Sequence, residues 1–451
     1  RHHGLAVHSY PELLANPEST WTYRGEGNAN IVFSGRVVSP AIRAHLGTSH
    51  LVLRVAKRPV HACPKQDGSD QGRFALNTVR FITQVINPLF PDRYLPRMLA
   101  VHVTPEFLQA LDSASSDARP AARTAKGVID MTQCVALVSP DYARMDLGTG
   151  SDAVDTLCLE IKPKWLFIPR RHRSTPDPPA CSRPNRAPTP LPPSPHRSAC
   201  RFCAHQRYKL ATDPGHTRLS GFCPLDLLSP ATIRDAVHAL LDAPGNNLRV
   251  WMNGERTSAP AADTRVFSCS GGDDANHASS ELVPLFLTLG EHQERLDDVA
   301  DSTQLHEAYL RVCQDELVVG DKGLGLDSWA KVVQTYLRPA AGPAAGSKLV
   351  AEFVLSMTLK DCSVLITVAP WSGEQGCESL PSSLLDQGLR MVRFADKAWV
   401  YRATLLDLDP KQMGKVPEWL RLDREIRKHF VASVVFNVAE NKSVGKGIDD
   451  K

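Results

Sequence analysis

The chain has 451 residues, 42% of them hydrophobic, which is enough to fill sizeable cores and excludes disorder throughout. Lys and Arg number 52 against 49 Asp and Glu, and a net charge of +3 excludes a global field of the kind a histone carries, so any anion binding must be local. No stretch approaches the roughly 18 to 20 apolar residues of a membrane span, and Arg1 to Gly4 lead into no secretory core, so a soluble intracellular protein without a membrane partner is expected.

In chain order, the first 110 residues read as a small α/β unit. Asn30 to Phe33 and Leu51 to Val55 have the short, β-branched character of paired strands with a loop between them. From Phe74, Val79, Ile82, Ile86 and Leu89 recur as one face of a helix, and Met98 to Val103 offers a further strand. Val135 to Ser139 and Leu157 to Ile161 are again strand-like. From Pro169 to Pro195, ten prolines and no helical period predict an extended insertion, and Arg170 to Lys209 hold nine Lys or Arg against one Asp. Ser229-Pro230 predicts an N-cap with proline at the first helical position, before the apolar face of Ile233, Val237, Leu240 and Leu241. Helices are predicted over Glu281 to Leu289, Leu305 to Val312, Trp329 to Leu337 and Trp419 to Phe430. Strands are predicted over Ser363 to Val368 and Trp399 to Leu406, with Pro339 to Gly346 as a linker.

Eleven cysteines, mostly in apolar strings, read as reduced core thiols. Cys200-x-x-Cys203 with Cys223 and one of His196, His205 or His216 is the exception. It is half of a structural zinc pattern, and packing thiols are the alternative.

Gly25-Glu26-Gly27-Asn28-Ala29-Asn30 sits before the first strand, where a glycine turn brings backbone N–H groups close to phosphate oxygens; a plain hairpin turn is the alternative. Arg54, on the next strand, could reach the same phosphates. In Glu160-Ile161-Lys162-Pro163-Lys164, strand alternation would put a carboxylate and two ammonium groups on one face, at the mouth of a cleft between lobes; a blunted sheet edge is the alternative. Further polar groups follow at Lys209, Asn246, Asn247, Arg249, Lys411 and Lys415. Asp361 and Asp407 each adjoin a β-rich string, where a carboxylate can act as a base or hold Mg²⁺.

Taken together, Gly25-Glu-Gly-Asn28, Leu53-Arg54-Val55, Glu160-Ile-Lys-Pro-Lys164, Cys200-Arg-Phe-Cys203-Ala-His-Gln206, Cys223-Pro-Leu-Asp-Leu227, Asn246-Asn-Leu-Arg249, Lys360-Asp-Cys-Ser363 and Leu406-Asp-Leu408 with Lys411 resemble, in order, the inositol-pentakisphosphate 2-kinases. The resemblance runs from about residue 20 to about residue 430. It implies an α+β, two-lobed fold distantly like protein kinases, with an inositide-binding region inserted in the C-terminal lobe. The lobes would be residues 1–138 and 139–451, with 169–199 as a flexible insertion. It also implies a kinase that uses ATP and Mg²⁺ to phosphorylate the 2-hydroxyl of inositol 1,3,4,5,6-pentakisphosphate, in the nucleus or cytoplasm. A monomer is expected separately, because the sequence shows no evident self-association stripe.

On this resemblance Gly25, Glu26, Gly27 and Asn28 cover the ATP phosphates, Arg54 replaces the usual kinase lysine, and Val138 to Asp141, with Ser139 and Asp141, form the adenine hinge. Glu160 joins the nucleotide contacts and Asp407 holds magnesium. Asp361 is the base, and Lys162 and Lys164 bridge to the inositide, Lys162 with a catalytic part. Arg123, Lys209, Asn246, Asn247, Arg249, Lys411 and Lys415 hold the remaining phosphates. Five phosphates carry roughly −7.5 to −10 charges, so scattered cations converging on one pocket are what such a substrate requires. A non-catalytic polyanion binder is the alternative. Nucleic-acid binding is disfavoured, because Arg170 to Lys209 hold only Phe202 and Tyr208 as stacking aromatics.

Overall fold

A computed structural model of the chain describes residues 6–27, 29–60, 73–147, 155–169, 200–257, 274–297, 302–314, 326–337, 346–371, 380–394 and 397–444. The predicted pairing of the first strands is present: β3 (Asn30–Arg36) runs antiparallel to β4 (His50–Arg58), with Ile31 opposite Val55 and Phe33 opposite Leu53. All four are buried, because period-2 alternation turns them to one face. With β1 (Val7–His8), β2 (Trp21–Glu26), β5 (Leu99–His102), β6 (Val128–Ile129) and β7 (Val135–Pro140), they make a sheet of order β1-β5-β7-β4-β3-β2, with β6 beside β4. Leu99, Val101, Ala136 and Val138 complete its core face.

The expected loop between β3 and β4 carries a helix, α1 (Pro40–Leu46), whose signals are standard: Ser39 at the N-cap, proline at the first position and Gly47 in the left-handed region at the end (φ 80°). The helix expected from Phe74 is α2 (Arg73–Phe81). It continues as a π turn and a 3₁₀ turn to Leu89, so Val79, Ile82, Ile86 and Leu89 are all buried. A helix that the hydrophobic pattern did not suggest, α3 (Pro105–Ser115), starts at Thr104, whose hydroxyl accepts from the Phe107 N–H at 3.2 Å.

A second sheet, of order β10-β9-β8-β11-β13-β12, uses β8 (Leu157–Ile161), β9 (Leu248–Met252), β10 (Glu255–Thr257), β11 (Ser363–Pro370), β12 (Arg390–Phe394) and β13 (Lys397–Leu406). The fold is therefore α+β. The chain divides into two compact units, one of Arg1–Glu160, Val250–Ala259 and Val364–Asp409, the other of Ile161–Arg249, Pro260–Ser363 and Pro410–Lys451.

The second unit is built from helices: α4 (Arg201–Thr212), α5 (Ile233–Asp242), α6 (Asp274–Leu296), α7 (Ser302–Gln314), α8 (Leu326–Leu337), α9 (Gly346–Asp361) and α10 (Val416–Val444). One expectation is corrected here. Ser229-Pro230 does not cap α5: Ser229 closes a preceding 3₁₀ turn (Pro224–Leu228), its hydroxyl accepts from Ala231 N–H, and the helix starts at Ile233. The strand expected from Ser363 is present as β11, and the residues before it form the end of α9. Val350, Val354, Leu355 and Leu359 are fully buried there, with Ser356 and Thr358, so the helix is covered all round and shows no polar stripe. The proline-rich stretch from Arg170 to Ala199 and most of the linker expected at Pro339 lie outside the described residues.

Candidate functional site

In the second unit the site grows from the end of β8. Beyond Ile161 the chain leaves the strand, so the expected alternation of Glu160, Lys162 and Lys164 on one face does not hold: Glu160 is buried within β8, and Lys164 takes the left-handed region at φ 62°. Asn247 fixes the departure. Its carbonyl accepts from Lys162 N–H at 2.8 Å and its side-chain amide donates to the Lys162 carbonyl at 2.8 Å.

The turn at Lys164 aims its ammonium at the end of α9, where Nζ lies 2.8 Å from Asp361 Oδ1; Lys411 Nζ reaches the other oxygen, Oδ2, at 2.5 Å. Two lysines from distant stretches thus share one carboxylate. Burial alone would raise the Asp361 pKa, but the two ammonium groups outweigh it and hold the carboxyl well below the usual range. The Asp361 side chain remains 45% exposed, so the cluster is open to a ligand. Lys209 is half-buried on α4. Asn246 and Arg249 are exposed around the start of β9, and Lys415 is exposed in a 3₁₀ turn (Met413–Lys415).

In the first unit, Gly25 and Glu26 belong to β2 rather than to a loop before the first strand, and Gly27 N–H bonds to the Asn30 carbonyl at 2.9 Å, closing the β2–β3 hairpin. Asn28 lies outside the described residues. Among the described residues, a Cβ at Gly25 or Gly27 would meet nothing within 4 Å, whereas one at Gly35 would strike the Thr20 carbonyl at 2.4 Å. Packing therefore demands glycine at 35 but not at 25 or 27, whose bare backbone is left for something else to approach.

Glu26 turns inward, its carboxylate taking Lys57 and, at 3.1 Å, Arg119 Nε. Burial would raise its pKa, yet the hydrogen bonds from Arg119 and Lys57 lower it. The Glu26 carboxylate is thus an anchor of the hairpin. Arg54 sits mid-β4 with NH2 2.5 Å from Asp409 Oδ2. Ser139 is buried in β7; Asp141 follows it, buried, with Arg24 NH1 at 2.7 Å. Asp407 is exposed just past β13 with φ 58°, and Arg123 is exposed on a short helix (Ala121–Thr124).

Sequence reasoning missed Asp409 and Arg24, the partners of Arg54 and Asp141. The repeat of Asp at 407 and 409 was the available signal for the first.

The sulfurs of Cys200, Cys203 and Cys223 lie within 4.8 Å of one another, and no histidine joins them among the described residues. Three thiolates around a tetrahedral zinc at about 2.3 Å would sit roughly 3.8 Å apart, so the three fit three corners of such a site. Hydrogen bonds from Cys203 and Cys223 lower the Cys200 thiol, while its hydrogen bond to Cys223 helps push that thiol up to about 12.

A profile of the family described as Inositol-pentakisphosphate 2-kinase matches residues 23–425. The chain belongs to that family. An inositol-pentakisphosphate 2-kinase of Danio rerio is 27% identical over 94% of this chain and 95% of its own length, and one of Arabidopsis thaliana is 24% identical over 90% and 92%. One of Drosophila melanogaster is 35% identical, over 22% of this chain and 18% of its own length. Membership makes the protein a kinase of inositol phosphates, hence a phosphotransferase, and removes the non-catalytic alternative.

The residues expected from the family resemblance fall into the two units by role. Lys162, Lys164, Lys209, Asn246, Asn247, Arg249, Asp361, Lys411 and Lys415 all belong to the second; Gly25, Glu26, Gly27, Arg54, Ser139, Asp141, Glu160, Asp407 and also Arg123 belong to the first.

Proposed function

We propose that the protein transfers the γ-phosphoryl group of ATP to the 2-hydroxyl of inositol 1,3,4,5,6-pentakisphosphate, giving inositol hexakisphosphate. The observation that carries this reading is the Asp361 carboxylate shared by Lys164 and Lys411. A carboxylate between two cations is poised to give those cations up to phosphates and to receive a hydroxyl in their place. Once phosphates draw the ammonium groups away, the proton affinity of Asp361 rises, so substrate arrival itself turns a masked carboxylate into a base. A weak base suffices, because the transition state of phosphoryl transfer is loose and positioning does most of the work.

Lys162, Lys209, Asn246, Asn247, Arg249 and Lys415 would hold other phosphates, and Arg123 is assigned to phosphate binding on the family resemblance alone. The nucleotide is assigned to the first unit of a two-lobed, distantly protein-kinase-like fold. The bare backbone at Gly25 and Gly27 supports phosphates close to β2, and Arg54 would exchange Asp409 for them. Asp407, exposed at the end of β13, has the hard oxygen donors that magnesium takes. Magnesium, when bound, neutralises charge on the phosphate oxygens. We assign the three clustered cysteines to a structural zinc.

The test is incubation with Mg-ATP and inositol 1,3,4,5,6-pentakisphosphate, with products separated by anion exchange. Wild type is expected to form the hexakisphosphate, and Asp361→Asn to lose about 10²- to 10⁴-fold in kcat. Lys164→Met should raise KM for the inositide with little change in KM for ATP. Absence of hexakisphosphate from wild type would reject the substrate assignment. Full turnover in Asp361→Asn would reject the base.

A further inference from the structure

Lys360, one residue before Asp361, turns the opposite way. Its side chain is 2% exposed and its Nζ lies 2.5 Å from Oδ1 of Asp297, which is wholly buried just past the end of α6. The same ammonium stands 3.9 Å from the ring centroid of Trp165 and 5.2 Å from that of Phe167, residues that follow Lys164 in the chain. Gln293, near the end of α6 and fully buried, makes a second link: its Oε1 accepts from Leu166 N–H at 2.9 Å and its Nε2 donates to the Leu359 carbonyl at 3.0 Å. One end of α6 therefore grips both the segment that carries Lys164 and the last turn of the helix that carries Asp361.

We propose that Lys360, Asp297 and Gln293 are positioning residues for phosphoryl transfer, a buried relay that fixes the Asp361 carboxylate against the Lys164 ammonium. The inference rests on the reading of Asp361 as the base. Stability alone does not account for the pair, since two buried charges cost desolvation that an apolar pair of similar volume avoids. What charge and amide supply is direction. Lys360 has to meet both a carboxylate and the face of Trp165, and Gln293 has to meet a donor on one side and an acceptor on the other. Those demands fix the height of the 164–167 segment along α9, and the left-handed backbone at Lys164 is held in place by the same surroundings.

The test compares Lys360→Met/Asp297→Leu, which removes both charges together, with Gln293→Met and with Asp361→Asn, each followed by thermal unfolding and steady-state kinetics in both substrates. The expected result for the double variant is a fall of about 100-fold in kcat per folded molecule, with KM for ATP held within about twofold of wild type. A structural role alone would lower the unfolding temperature and leave kcat per folded molecule where it was. If the double variant does not fold, Gln293→Met decides by the same split. A folded relay variant with kcat within about twofold of wild type, while Asp361→Asn is inactive, overturns the relay and leaves the base assignment standing. Full turnover in Asp361→Asn removes the base, and the relay with it.

Discussion

Glu26 lies one residue before the turn at Gly27, yet its side chain is 1% exposed and shared by Lys57 and Arg119, themselves 4% and 2% exposed. Replacing it by Gln would strand two buried cations, so Glu26→Gln is expected to cost about 3–5 kcal/mol in denaturant unfolding at neutral pH. The folded-state pKa of Glu26 is depressed, so its contribution is complete above the ordinary glutamate pKa of about 4.3 and is lost as pH falls through the depressed value. The difference between wild type and Glu26→Gln should therefore shrink in strong acid and stay constant from mildly acid to neutral pH.

The same sign argument applies to activity at Asp361. Lys164 and Lys411 keep its carboxyl ionised well into the acid range, so removing one cation lets the pKa climb. Lys411→Met is expected to move the acid limb of the kcat/KM profile, which reports the free enzyme, to higher pH. A limb that stays put would show that Lys411 does not act on the titrating group.

At the scale of elements, α6 is the part whose fit matters most. Gly290 faces the Leu166 carbonyl so closely that a Cβ there would lie 2.8 Å from it. Neither partner is a flexible side-chain end, so Gly290→Ala must push the helix and the 164–167 segment apart. Overpacking of this kind costs about 1–3 kcal/mol, and a thermal scan together with a drop in kcat would record both consequences.

The cysteine cluster makes a different element-level prediction. Cys200 is the N-cap residue of α4 and Cys203 lies in its first turn, where the helix dipole favours thiolate. The purified chain is expected to carry zinc, and Cys203→Ser to lose the metal and unfold at lower temperature. Elemental analysis showing none in wild type would return the cysteines to ordinary packing.

Across the whole molecule, the expected inositide-binding cations other than Arg123 belong to the helical unit and the expected nucleotide residues to the unit with the two-sheet strands. Several charged contacts to an exposed polyanion weaken with ionic strength, because the Debye length falls below about 10 Å above 0.1 M salt.

Parts of this plan are legible without coordinates. The β3–β4 pair and the run from Val79 to Leu89 follow from periodicity, since each has one dry face and one wet or half-wet face, whereas the strand at Val135, buried along its whole length, is read from its short apolar run. Helix α9 does not, because burial erases the polar stripe that would announce it, so the strand after Asp361 is legible and the helix that ends at Asp361 is not. The two lysines of Glu160-Ile-Lys-Pro-Lys164 stand out in the sequence, but their direction does not, because it depends on a left-handed backbone at Lys164 that no residue type advertises.

Sequence by itself determined the inventory: which cations and carboxylates exist, the family they match, and the local elements with a dry and a wet side. Only the tertiary structure decided that Lys164 and Lys411, 197 and 50 residues from Asp361 along the chain, meet on its two oxygens. It also decided that Glu26 is an anchor. The reason is physical: spacing along a chain fixes neighbours within an element, whereas contacts between elements depend on how buried faces pack, and that is settled by the whole core at once.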